Sequence, residues 1–189
     1  MNVFSQKRHT GKLAMSATAI AASILSAAAA HASDVTAPKM VLTAYVNGAG
    51  GDSVMAGKFD EALTEIKKDR SASSDAYTAK INNQCVTYAV MKQLPQALSA
   101  CDEALRAAKY ERMAAQRFSA GTSEQNSYVA IAYANRAVVH TLAKDPESAK
   151  SDMAHAKSLA PSAEFVSKNM LAMETSASKI AQLSATPAR

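Results

Sequence analysis

Residues 130–161, AIAYANRAVVHTLAKDPESAKSDMAHAKSLAP, decide how the chain is read. Ile131, Ala134, Val138 and Leu142 recur at the spacing of one helical face. Asp145-Pro146-Glu147 then supplies a capping carboxylate, a proline suited to a first helical turn and an acid near the helix N-terminus. The helix opened there ends before Pro161. A tight turn between two helices makes a helical hairpin. Ala137, Ala149 and Ala156 are small enough to let the two antiparallel helices approach closely.

The pattern occurs twice. Asn83-Gln84-Cys85-Val86 parallels Asn135-Arg136-Ala137-Val138. Fourteen residues after each Asn comes Ala97 or Ala149, and seven further on comes Ala104 or Ala156. Tyr88 and His140 are equivalent, as are Cys101 and Met153. These positions resemble the tetratricopeptide repeat. Its small eighth, twentieth and twenty-seventh positions are Cys85, Ala97 and Ala104 in one copy and Ala137, Ala149 and Ala156 in the other. Its aromatic eleventh position is met by Tyr88 and departed from by His140, and its closing proline by Pro161 but not by Lys109. The segment from Ala56 to Leu63 resembles the turn and second helix of a third, degraded repeat. The two good copies are offset by 52 residues, where the family's repeat is 34 long, so an insertion around 106–127 lengthens a helix or forms a loop.

The resemblance implies an all-α array of helical hairpins, an α-solenoid with a terminal capping helix. The units are a degenerate repeat at 52–70, repeats at 78–109 and 130–161, the insertion at 106–127, and a capping helix at 162–184 before a frayed tail at 185–189. Helical spacing runs from Asp52 to Lys68 through Val54, Phe59, Ala62, Leu63 and Ile66. Ahead of it, residues 33–51 hold a β-like run from Met40 to Val46 and a glycine-rich loop.

Residues 1–32 have the pattern of an export signal. Lys7, Arg8 and Lys12 precede an uncharged stretch from Leu13 to Ala30, and Ala30-His31-Ala32 suits cleavage between Ala32 and Ser33. The expected location is the periplasm, or the medium if the chain is secreted, with no membrane attachment after cleavage. The 189 residues carry a net charge of +5, from 21 basic and 16 acidic side chains. Removing the three cations of the signal leaves 18 basic residues and a net charge of +2. That balance lacks the concentrated basic character of a nucleic-acid binder.

In an oxidising compartment Cys85 and Cys101, the two cysteines of the chain, can pair, although small buried thiols also fill helical cores. There is no Cys-x-x-Cys motif for redox chemistry. His140 and His155 lie on different helices without carboxylates at ligand spacing, so no metal is expected. Gly51 to Lys58 has the glycines and lysine of a phosphate loop at the wrong spacing, and Phe59 stands where a hydroxyl must meet magnesium. No catalytic motif is present, and neither an enzymatic activity nor a cofactor is expected.

By resemblance, Asn83, Val86, Val90, Asn135, Val138 and Leu142 face a concave groove. The two Asn there hydrogen-bond an extended peptide's backbone or its terminal carboxylate. Ala79, Asn82, Ile131 and Ala134 occupy neighbouring sites where a carboxylate clamp needs cations. The insertion adds Lys109, Tyr110, Arg112, Arg117 and Phe118 as a basic and aromatic cluster. The function implied is a protein–protein interaction module for a peptide or partner helix. The alternative is a self-associating envelope protein that dimerises through its terminal helix.

Overall fold

Three turns share one hydrogen-bond pattern and set the architecture. In each, a residue in the left-handed region follows a helix end: Gly57 at φ 75°, Lys92 at 60° and Lys144 at 62°. The next N–H reaches back five residues, Lys58 to the Ser53 carbonyl at 2.8 Å, Gln93 to Tyr88 at 2.9 Å and Asp145 to His140 at 2.9 Å. An inner bond of 3.1 Å closes each turn, from Gly57 to Val54, Lys92 to Ala89 and Lys144 to Thr141. This paired arrangement satisfies carbonyls that a helix C-terminus otherwise leaves open.

The computed structural model describes residues 2–6, 38–71, 73–118 and 123–185, with side chains described over 38–71, 73–118 and 123–176. Among them are two short strands, β1 (Asn2–Gln6) and β2 (Val41–Tyr45), and seven helices. The helices are α1 (Gly51–Met55), α2 (Phe59–Lys68), α3 (Ser74–Val90), α4 (Leu94–Arg117), α5 (Ser123–Leu142), α6 (Pro146–Leu159) and α7 (Glu164–Ala185). The described body is thus all-α apart from the strand pair. The hydrophobic stretch from Leu13 to Ala30, the Ala32–Ser33 junction and residues 186–189 lie outside the described residues. No helix among the described residues is long and apolar enough to cross a membrane.

Each helix packs on the next, α2 on α3, α3 on α4, α4 on α5 and α5 on α6, while α7 lies against α5 and α6. Ala97, Ala104, Ala137, Ala149 and Ala156 are all buried to within 1% exposure, as close helix approach requires. Cys85 on α3 and Cys101 on α4 have Cα atoms 4.9 Å apart and their sulfurs joined. Asp145 opens α6 by accepting the Ser148 N–H at 3.1 Å, and this bonding, with the Ser148 hydroxyl contributing most, holds its carboxyl below the usual range. Arg136 ties three helices together. Its Nε and Nη2 donate to Asp152 of α6, each at 2.7 Å, and its Nη1 donates to Asp102 of α4 at 2.7 Å.

The structure decides two points that the sequence left open. The helical spacing from Asp52 to Lys68 is interrupted, because Gly57 takes the left-handed conformation and divides α1 from α2. The insertion lengthens α4 as far as Arg117 before the chain restarts at Ser123 in α5. Lys109 to Gln116 contains no helix breaker, so the segment continues the helix it joins.

Strand β2 lies inside this helical body, touching α3, α5 and α7. All five of its residues are buried. Leu42 and Ala44 pack with Cys85, Val86, Ala97, Cys101 and Val138 in one core cluster. Tyr45 belongs to the other, with Ala79, Tyr128, Ile131, Ala134 and Met153. The strand therefore contributes to both clusters of the core. A turn follows it in which a side chain at Gly51 has no room, since a Cβ would come within 2.1 Å of the Tyr45 carbonyl oxygen.

Candidate functional site

A buried strand in a helical body poses a hydrogen-bonding problem. Each of its N–H and C=O groups needs a partner, and a helix backbone has none to offer along its sides. The partners along one edge of β2 are asparagine side chains. Asn83 on α3 accepts from the Tyr45 N–H at 2.7 Å and donates to the Tyr45 carbonyl at 2.8 Å. Asn135 on α5 does the same to Thr43, at 2.8 and 2.9 Å. Asn169 on α7 does the same to Val41, at 2.6 and 2.9 Å. An amide side chain has one acceptor oxygen and two donor hydrogens, so it matches the paired N–H and C=O of a single residue. Three successive odd residues, each met by one Asn from one helix, make a ladder.

The remaining amide hydrogens are also used. The second Asn83 hydrogen goes to the Ala49 carbonyl at 3.1 Å, which ties the turn after β2 to α3. The second of Asn135 goes to Asn82 Oδ1 at 2.9 Å, and Asn82 Nδ2 donates to the Thr43 carbonyl at 2.9 Å. Asn82, Asn83, Asn135 and Asn169 are at most 2% exposed. The ladder is neutral and reads main chain. The side chains of the strand are held instead by packing, as where Tyr45 meets Tyr128 edge-on with ring centres 5.6 Å apart. The Thr43 hydroxyl is buried with no hydrogen-bond partner among the described residues.

The sequence-derived groove residues divide in two. Asn83 and Asn135 meet on the strand, Val86 and Val138 are fully buried in the cluster that holds Leu42 and Ala44, and Val90 is half-buried against it. Leu142 stands apart and is 37% exposed. Asn82 proves to be part of the ladder, and Asn169 was not singled out in the sequence. The signal for it was present, since Asn169 follows Asn135 by 34 residues, the repeat length of the resembled family.

The other candidates lie elsewhere. His155 stacks on Tyr133 at 4.9 Å, and Lys109 sits 4.9 Å from the centre of that ring. His140 faces Asp145 at 3.4 Å and Asp152 at 3.8 Å. The guanidinium of Arg136 is pushed to a higher pKa, chiefly by its hydrogen bonds to Asp152, and so stays charged. Tyr110 and Phe118 of the insertion project into solvent, at 64% and 84% exposure. Among the described residues no three His, Cys, Asp or Glu gather as a metal site. No protein-family model, curated protein or solved structure matches the chain.

Proposed function

We propose that the protein is an exported, non-catalytic protein–protein interaction module, an α-solenoid built from hairpins of the tetratricopeptide type. Its concave groove seats extended polypeptide. The observation that carries this reading is the asparagine ladder, which pairs three side-chain amides with both backbone groups of Val41, Thr43 and Tyr45. Such pairing recognises an extended main chain whatever its side chains, as strand-type peptide recognition does. Here β2 of the chain itself takes the seat, so a partner meets a groove already lined by a strand. The common turn at Gly57, Lys92 and Lys144 supports the repeat assignment. The Cys85–Cys101 pair suits an oxidising compartment such as the periplasm, or the medium.

The test is capture of partners from periplasmic extract by the exported chain, beside an Asn83→Ala/Asn135→Ala variant of unchanged helicity. A partner held by the first and lost from the second, in which β2 loses two of the amides that seat it, supports the reading. A partner held equally by both moves the interface to the exposed aromatic cluster of the insertion. Sedimentation as a dimer with no partner favours self-association through α7, where Leu171 is 55% exposed.

A further inference from the structure

The asparagine ladder consumes one edge of β2 and leaves the other. Backbone groups alternate along a strand, so if Val41, Thr43 and Tyr45 point their N–H and C=O toward the helices, Leu42 and Ala44 point theirs the opposite way. That outer edge is where β1 pairs, parallel, in the register Asn2 with Val41 through Gln6 with Tyr45. In a parallel ladder of this register, the N–H groups of Phe4 and Gln6 face β2, while those of Val3 and Ser5 face away.

We propose that the outer edge of β2 is a strand-addition site. Asn2–Gln6 fills it in the precursor, and an uncharged extended segment of another protein fills it in parallel once residues 1–32 have been removed. The inference rests on the export reading given above. Three observations carry it. The edge is already seen to accept a five-residue strand. It is held rigid from behind, because the odd residues of β2 are pinned by Asn83, Asn135 and Asn169. The strand that fills it, NVFSQ, carries no charge and lies in the segment expected to be cleaved. Removal leaves two N–H and two C=O groups on a preorganised edge, which is a template for another strand. A processed second copy begins at Ser33, lacks Asn2–Gln6 and so cannot fill the edge with that segment.

The experiment uses the chain recovered from the periplasm, whose intact mass first reports whether Ser33 is the new N-terminus. If it is, isotope-labelled protein is titrated at millimolar concentration with the capped peptide Asn-Val-Phe-Ser-Gln and followed by amide NMR. If residues 1–32 are retained, the expected cleavage fails. The same titration is then run on the full chain carrying Phe4→Pro, which cannot donate its own bond to the edge. The expected result is a shift of the Leu42 and Ala44 amides. Methylating the peptide nitrogen of Phe4 should weaken binding about tenfold, while methylating that of Val3 should change it by less than about twofold. Equal effects of the two methylations, or no response at Leu42 and Ala44, would overturn the proposal. So would a dimer of processed chains that ignores the peptide.

Discussion

Asn135 makes three side-chain hydrogen bonds in the core, as Asn83 does. It satisfies both backbone groups of Thr43 and one lone pair of Asn82. Asn135→Ala leaves those groups buried without that partner, where each unsatisfied polar atom costs about 1–3 kcal/mol. Some of that is recovered because Asn82 still donates to the Thr43 carbonyl. The expected net loss in urea unfolding is about 3 kcal/mol. Thr43 offers the opposite experiment. Its hydroxyl is buried unpaired, and Val has nearly the same shape. Thr43→Val should therefore stabilise the protein by about 1 kcal/mol in the same assay, with m unchanged. The sequence shows two of these amides plainly, since Asn83 and Asn135 recur at matching repeat positions. It hides the third, because the helix around Asn169 lacks the small-residue pattern that marks the other two copies. Only its 34-residue offset from Asn135 betrays it.

At the scale of elements, the hairpin turns and the cysteine pair make separable contributions. Lys144 is exposed and holds φ 62°, a conformation that costs about 1 kcal/mol with a Cβ and nothing with glycine. Lys144→Gly is expected to raise stability by about 0.5–1 kcal/mol, measured by the midpoint of thermal unfolding. The first turn of the same pattern already has Gly57 there. Cys85 and Cys101 are 16 residues apart, and a bridge over that span restricts the unfolded chain by about 3 kcal/mol in the chain-entropy model. Protein purified without reductant should resist alkylation until reduced, and reduction should lower its unfolding free energy by about that amount. Free thiols in the unreduced protein would contradict the assignment. Helix positions were legible in the sequence wherever a cap and a proline marked them, as at Asp145-Pro146. The turn at Gly57 was legible in the resemblance of Ala56–Leu63 to a turn and second helix, although apolar residues keep helical spacing on both sides of it. The insertion was ambiguous because helix-forming residues continue as far as Arg117.

For the molecule as a whole, the all-helical class follows from periodicity, and the placement of β2 does not. The run from Val41 to Tyr45 is short and largely apolar, which marks a buried strand. Sequence reasoning pairs such a strand with another strand. It does pair with β1 along one edge. Along the other its partners are amides on three helices, spread from Asn83 to Asn169, and only the folded arrangement brings them into line. The site is therefore a property of the packed array more than of any motif.

The claim at the centre of this account is that side-chain amides seat an extended strand inside the helical body. Residue-resolved amide hydrogen exchange across 41–45 tests it most directly. The account predicts slow exchange at Val41, Thr43 and Tyr45 in the native chain. In Asn135→Ala, under conditions where the protein remains folded, it predicts a selective acceleration at Thr43, with Val41 and Tyr45 less affected. Fast exchange at all three positions in the native chain would contradict it, as would Thr43 protection that is indifferent to the loss of Asn135.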